Sequence, residues 1–207
     1  MRPLLTHRLI FPLCAVLFLA GCGRLLQPDV QADATALRAG EYELDPRHAV
    51  LLWKVTHLGF SKYVGRFNDF DATLSYDPDN PSAAHVAVVV QTASIDVNYP
   101  EFEEDLRGAS WFNVSAFPDA SFESTAVALD ANGNGTVTGD FTLLGVTKPV
   151  TFDVIFNGGA RNPLTRKYTV GFEANGVIKR SDFGMTNLLP AVGDDIELEM
   201  HVEFLKD

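Results

Sequence analysis

Residues 196–204 constrain the fold of this chain more than any other stretch. Apolar and polar side chains alternate there with a strict period of two. The apolar members are Ile196, Leu198, Met200, Val202 and Phe204, with Glu or His between them. This spacing places every apolar group on one side of an extended strand. A lone strand cannot cover that face, so the pattern predicts a sheet made with further strands.

Strand patterns recur from residue 41 onward, separated by turn residues. They fall at 49–56, 65–76, 85–92, 119–128, 135–144, 150–156, 168–174 and 196–204. One break in the period between Phe67 and Phe70 is typical of a β-bulge. About eight evenly spaced strands predict an all-β fold, a closed antiparallel barrel over residues 41–207, with a β-sandwich as the alternative.

In residues 101–112 the apolar side chains have a different spacing. Charged residues mix here with Phe102, Leu106, Trp111 and Phe112 at spacings near three and four. That spacing predicts one short helical segment, which would cover one end of the barrel.

The inward-facing side chains are expected to be apolar and often aromatic, since the chain contains 15 Phe. An eight-stranded barrel is either filled by its own side chains or wide enough for one slender ligand. Each candidate lining residue is equally well explained as ordinary core. The candidates are Leu51, Trp53, Val55, Phe67, Val88, Phe122, Phe141, Phe152, Val154, Phe172, Leu198 and Met200.

The N-terminus carries a targeting pattern. Arg2 and Arg8 precede an apolar run that ends in Leu-Ala-Gly-Cys at Cys22. This pattern predicts a lipoprotein signal peptide over 1–21, an acylated (palmitate-bearing) Cys22 and a tether over 22–40. The apolar run is too short for a membrane span, which needs about 20 residues. An ordinary secretory cleavage site is the alternative. Gly23, where an inner-membrane retention signal has Asp, favours the outer membrane of a two-membrane cell, facing the periplasm.

Charge and cysteine content exclude several function classes. Loss of Arg2 and Arg8 with the leader would leave 14 basic and 27 acidic residues, a net charge of −13. This balance argues against nucleic acid and anionic membrane surfaces as partners. Cys14 would leave with the leader, so no thiol would remain for catalysis, disulfides or metal binding.

Catalytic motifs are missing from the sequence, and a metal site is disfavoured. Asp45, His48 and His57 are the nearest approach to a zinc or hydrolase constellation. His85 adjoins a turn and His201 lies on the polar face of its strand, so convergence with His57 would break the alternation. We therefore expect no metal and no enzymatic activity. Residues 180–184 are interpreted as a turn held by an Arg180–Asp182 ion pair, with Phe183 packed over a barrel end.

Four groups of residues, in order and at matching spacing, carry a family resemblance. They are 45–48 (DPRH) with 57–59 (HLG) and 65–67 (GRF); 94–96 (SID) with 106–107 (LR) and Phe112; 139–142 (GDFT) with 145–150 (GVTKPV); and 180–184 (RSDFG). The domain resembles the YceI-like family of periplasmic, lipocalin-like barrels that bind polyisoprenoid lipids.

The resemblance implies an apolar tunnel for an isoprenoid chain, such as a quinone tail, or a related long-chain lipid, and no enzymatic activity. The chain departs from the family at Asp105, Ser110 and Phe117, where relatives often have His, Asp and Tyr, so its headgroup preference is open. The alternative function is a ligand-free barrel that docks a membrane or redox partner. Self-association into a homodimer is left open.

Overall fold

The computed structural model describes residues 26–207, so the predicted signal peptide and Cys22 lie outside the described residues. This part of the chain contains ten β-strands and one α-helix. They are β1 Gly40–His57, β2 Ser61–Phe67, β3 Phe70–Tyr76, β4 His85–Gln91, β5 Ile95–Asp96, α1 Pro100–Arg107, β6 Asp119–Leu129, β7 Gly135–Leu143, β8 Val146–Arg161, β9 Tyr168–Lys179 and β10 Val192–Lys206.

The ten strands form eight positions around a closed barrel. Only Asn68 and Asp69 separate β2 from β3, and both strands pair antiparallel with β1, so they act as one interrupted strand. Strands β4 and β5 share the next position, because β4 pairs with β3 and β5 with β2. Pairing of β10 with both β9 and β1 closes the ring. The predicted closed antiparallel barrel of eight strands is confirmed, and the predicted bulge is the interruption at residues 68–69.

The period-two pattern sets which side chains enter the barrel. On β1, Leu51, Trp53 and Val55 are buried, while Lys54 lies outside and pairs with Glu199 of β10. The strands are nevertheless longer than predicted, since β1 begins at Gly40 and β8 extends from Val146 to Arg161.

A wide bulge in β1 explains why the alternation is hidden before residue 49. Leu44 pairs with Phe204 and Ala49 with Val202, so residues 45–48 face a single residue of β10. Buried Asp45 holds this bulge, because its carboxylate accepts from the Arg47 backbone and guanidinium and from the His48 ring. The hydrogen bonds from Arg47, which outweigh burial, hold the Asp45 pKa well below its usual range.

We call the barrel end at Gly40, Tyr76 and Tyr168 the closed end, because the N-terminal segment covers it. Gln31 exchanges two backbone hydrogen bonds of 2.9 Å with Gly159, and Ala34 and Leu37 are buried. This packing differs from the predicted tether over 22–40. Residues 31–37 lie against the barrel because they bring apolar side chains to an otherwise open end.

We call the opposite end, at His57, Lys179 and Val192, the helical end. Helix α1 begins at Pro100, which suits the first helical position, and has acidic residues in its first turn and Arg107 in its last. It ends at Arg107, five residues short of the predicted boundary at 112. Among residues 26–207, none of the helices is both long enough and apolar enough to cross a membrane.

Candidate ligand-binding cavity

The barrel encloses a cavity of about 430 Å³. Small-molecule sites usually fall between roughly 300 and 1,000 Å³. The wall follows β10 from Val192 to Phe204, a distance of roughly 40 Å along the strand at about 3.3 Å per residue. The interior is therefore elongated and is not filled by the barrel's own side chains.

All twelve candidate lining residues lie on the cavity wall: Leu51, Trp53 and Val55 on β1, Phe67 on β2, Val88 on β4, Phe122 on β6, Phe141 on β7, Phe152 and Val154 on β8, Phe172 on β9, and Leu198 and Met200 on β10. Their contact with a ligand stays a prediction.

Several other residues of the wall were not among the sequence candidates. They include Phe102, Leu106, Trp111 and Phe112 from the helical segment, and Met185 and Leu188 from the loop before β10. The spacing of the first four could have indicated a common face. The last two stand in a loop without periodicity, so no pattern marked them.

Packing is looser around the cavity than at the closed end. Ile196, Leu198 and Met200 face inward on β10 but are only half-buried. At the closed end, Tyr42 is 1% exposed and Val170 is fully buried. The difference shows that the cavity exposes inner-face side chains that a filled barrel would bury.

Three glycines, each on a strand next to one that carries an aromatic ring, make room for that ring against the wall. A Cβ atom at Gly65 would lie 2.3 Å from the Trp53 ring, and one at Gly139 would lie 2.5 Å from the Phe122 ring. One at Gly176 would lie 2.6 Å from Phe152. A glycine within a strand often marks such a close approach. Because glycine has no side chain, each ring can approach the wall closely at these positions.

Aromatic rings line the helical end of the cavity in a continuous row. Ring centroids are 6.1 Å apart for Trp53 and Tyr63, 5.9 Å for Tyr63 and Phe102, and 6.4 Å for Phe102 and Trp111. The Arg180 guanidinium lies 5.6 Å from the Trp111 ring, within cation–π range. The row gives this end a bulky apolar lining with one cation beside it.

Arg180 is only 1% exposed, and its partners differ from the prediction. Its guanidinium donates to the backbone carbonyls of Met185, Val192 and Gly193 at 2.8–2.9 Å. The predicted Arg180–Asp182 ion pair is therefore wrong. Backbone carbonyls satisfy the buried cation because the chain turns around it, and burial lowers the pKa of Arg180. Phe183 is buried as predicted and packs edge-on against Phe141.

The histidine and carboxylate candidates divide between two places. Asp45 and His48 lie together, and the third nearby ligand atom comes from Glu203 of β10, all within 4.8 Å of one another. His57 lies at the helical end of β1, away from this group. The Asp45 carboxylate already binds the Arg47 guanidinium, so this cluster functions as the clamp of the β1 bulge.

An eight-stranded antiparallel barrel around an apolar cavity defines a class of small-ligand-binding proteins. Residues 42–204 match the YceI-like domain, and the chain belongs to the YceI-like family. This is a family of binding proteins rather than enzymes.

Curated relatives and solved structures agree with this assignment. A UPF0312 protein of Yersinia pestis is 44% identical over 168 residues, which is 80% of this chain and 86% of the relative. The YceI protein of Campylobacter jejuni is 31% identical, with a TM-score of 0.64, and the match covers 74% of this chain and 91% of that one.

A polyisoprenoid binding domain from Saccharophagus degradans has the same fold. Its TM-score is 0.57 at 14% identity, and the match covers 80% of this chain and 98% of that domain.

Proposed function

We propose that the protein holds one long apolar chain in its cavity, an isoprenoid lipid such as a polyprenyl or quinone tail, or a similar long-chain lipid, for transport or storage. The observation that carries this proposal is the composition of the cavity wall. In the part of the chain that the structure describes, the wall contains no Asp, Glu or Lys, and its one Arg, Arg180, donates to backbone carbonyls. Such a site selects a guest by shape and apolar surface. The shared fold of the polyisoprenoid binding domain gives further support.

Simple energetics make a charged anchor unnecessary. Burial of each methylene contributes about 0.8 kcal/mol, before the cost of ordering the chain. A tail of many methylenes therefore binds an elongated apolar cavity without catalytic or ionic groups. We propose accordingly a binding role without catalysis and without a cofactor beyond the bound lipid.

We also propose that the protein works on the periplasmic side of a membrane, attached through acylated Cys22, and in the outer membrane where the cell has two. The support is the sequence pattern before Cys22. Metabolic labelling with a palmitate analogue should mark wild type and Cys14→Ala, whose changed residue lies inside the leader, but not Cys22→Ala. Labelling of Cys22→Ala equal to that of wild type would refute acylation at this residue. Homodimer formation stays an expectation, which sedimentation equilibrium of the mature chain measures.

The test of lipid binding uses two neighbouring residues on opposite faces of β8. Val154 lines the cavity, whereas Ile155 is 46% exposed on the outside. Protein purified from native membranes is extracted with organic solvent and analysed by mass spectrometry. Wild type and Ile155→Phe should release about one long-chain lipid per protein, and Val154→Phe much less, because its ring fills the cavity. Repeated absence of lipid from wild type, or equal yields from the two variants, would overturn the proposal.

A further inference from the structure

Two loops at the helical end present large apolar side chains to solvent. One is residues 57–60, which join β1 to β2, and the other is residues 184–191, which precede β10. Leu58 is 54% exposed, Phe60 87% and Leu188 58%. Among large hydrophobic residues in the described part of the chain, Phe60 is the most exposed. We call Leu58, Phe60 and Leu188 the apolar rim.

Backbone hydrogen bonds join the two loops. The Leu58 N–H donates to the Ala191 carbonyl at 2.8 Å, across from one loop to the other. The Val192 N–H donates to the Leu188 carbonyl at 2.9 Å, which fixes the second loop to the start of β10. The rim is therefore one surface carried by both loops.

The rim is continuous with the cavity. His57 and Leu188 are the two cavity-lining residues, among those described, that are also exposed. Both belong to the loops that carry the rim. At the other end of the barrel, residues 31–37 cover the interior. A long-chain guest would therefore enter or leave beside the rim.

The rim is also free of formal charge. Residues 57–60 (HLGF) and 184–191 (GMTNLLPA) contain no Asp, Glu, Lys or Arg, although 21% of the chain is charged and its net charge is −11. Two nearby lysines are paired, since Lys62 binds Glu197 at 2.6 Å and Lys179 binds Asp195 at 2.7 Å. An apolar surface without charges enters the nonpolar part of a bilayer without desolvating ions.

Two rim residues hold a backbone conformation that leucine disfavours. The φ angle is +51° at Leu58 and +58° at Leu188. Leu58 and Gly59 are the central residues of the turn that the Phe60 N–H closes on the His57 carbonyl at 2.9 Å, and a central turn position with positive φ usually holds Asn, Asp or Gly. Leucine therefore does not favour the backbone conformation at these two positions, and we infer that its apolar side chain has another role.

We propose that the apolar rim inserts into the surface of an uncharged lipid bilayer, so that a lipid chain passes between bilayer and cavity without crossing water. The inference rests on the proposed lipid-binding function. A bilayer is the source of such a guest, because a free isoprenoid chain in water would expose every methylene. The N-terminal segment joins the barrel at the closed end, so the rim is a membrane contact separate from any anchor.

The test is flotation with phosphatidylcholine vesicles, using a chain that starts at Gly23. This chain keeps residues 26–207, which contain the closed barrel and its cores. We expect wild type to float with the vesicles, and Phe60→Ser to reduce its vesicle affinity on the order of tenfold. Combining Phe60→Ser with Leu58→Asn and Leu188→Asn should abolish flotation. Leu164→Asn, at a residue 72% exposed near the closed end, is the matched control and should float like wild type.

Thermal unfolding separates loss of docking from loss of folding. Leu58→Asn and Leu188→Asn should leave Tm unchanged or raise it, because Asn tolerates positive φ. Equal flotation of wild type and the triple variant would overturn the proposal. Flotation that requires phosphatidylglycerol would also overturn it, since it would indicate an ionic contact. Wild type that forms a dimer and does not bind vesicles would also overturn it if the triple variant is a monomer, because the rim would then be buried against a second copy.

The outcomes for docking and for lipid binding are distinguishable. The double variant Leu58→Asn with Phe60→Ser should retain extractable lipid when it is loaded in the cell, because neither residue lines the cavity. Val154→Phe should lose lipid but still float. Flotation of a wild type that never contains lipid would support docking and refute the proposed guest.

Discussion

The two ends of the barrel are built from the same long strands, yet one is covered by the N-terminal segment while the other exposes apolar side chains to solvent. At the closed end, Tyr42 is 1% exposed and the Tyr76 hydroxyl donates to the Ala34 carbonyl at 3.2 Å. At the helical end, Phe102 is only half-buried and Phe60 is 87% exposed. The covering segment, and not the strands, decides which end is filled.

The two ends therefore have different roles. Close packing and the hydroxyl bonds of Tyr42 and Tyr76 at the closed end contribute to the free energy of folding. The helical end gives up some of that stabilisation, because its aromatic rings border empty space on one side. Regions that admit ligands are usually drawn from such less stable parts of a structure. The ends should therefore respond differently to the same kind of substitution.

The largest expected effect is at Tyr42. Tyr42→Ala removes a buried ring and its hydroxyl bond to the Arg38 carbonyl, and should lower the free energy of unfolding by about 3–5 kcal/mol. Phe102→Ala, at the helical end, should cost about 1–2 kcal/mol, since its ring already adjoins the cavity. Urea unfolding followed by circular dichroism measures both. Equal losses would show that the two ends are packed alike.

Gly65→Ala should have the next largest effect. Its Cβ would lie 2.3 Å from the Trp53 ring and 2.8 Å from Val97, so the ring must move into the cavity. We expect a loss of about 1–3 kcal/mol from this overpacking, together with less bound lipid. Gly171→Ala is the matched control, because its nearest atom would lie at 3.6 Å. Unchanged lipid content in Gly65→Ala would argue against the role given to this glycine.

The alternation that recurs in about eight segments, clearest in residues 196–204, predicts strands, their inward faces and a closed barrel, with a β-sandwich as the alternative. It does so because a period of two specifies a face without any knowledge of partners. The same rule placed Leu51, Trp53 and Val55 on the cavity wall. The cavity itself could not be predicted, since a filled and a hollow barrel of eight strands have the same pattern.

Other features were missed because they depend on contacts distant in sequence. Residues 31–37 have no strand pattern, and only their contacts with Gly159 and Tyr76 show that they cover an end. Arg180 was assigned to Asp182, two residues away, whereas its partners are carbonyls near the start of β10. A sequence pattern indicates only partners that are close in sequence. A buried guanidinium binds the acceptors that the fold places around it, which can be distant in sequence.

Lowering the pH should affect the two ends of the barrel differently, because a hydrogen-bonded carboxylate lies near each of them. Asp45 clamps the β1 bulge. Asp194 accepts from the Ser181 backbone N–H at 2.9 Å and from its hydroxyl at 2.8 Å. The bond from the Ser181 backbone is the main cause of a lowered pKa at Asp194, as the bonds from Arg47 are at Asp45. A lowered folded-state pKa stabilises the fold above the unfolded pKa of about 4, and this contribution is lost as pH falls through the folded value.

Asp45→Asn should therefore be less stable than wild type at pH 7, by about 1–3 kcal/mol for charge-assisted bonds to a buried group. The difference in free energy of unfolding between wild type and Asp45→Asn should decrease steadily below about pH 4, as the Asp45 carboxylate of wild type becomes protonated. For Asp194→Asn the difference from wild type should be smaller than for Asp45→Asn and should disappear at a higher pH. Asp194 is less buried than Asp45, and its pKa is less strongly lowered. Urea titrations between pH 3 and 7 test this. A gap for Asp45→Asn that does not change with pH would show that its bonds act through geometry alone, without the carboxylate charge.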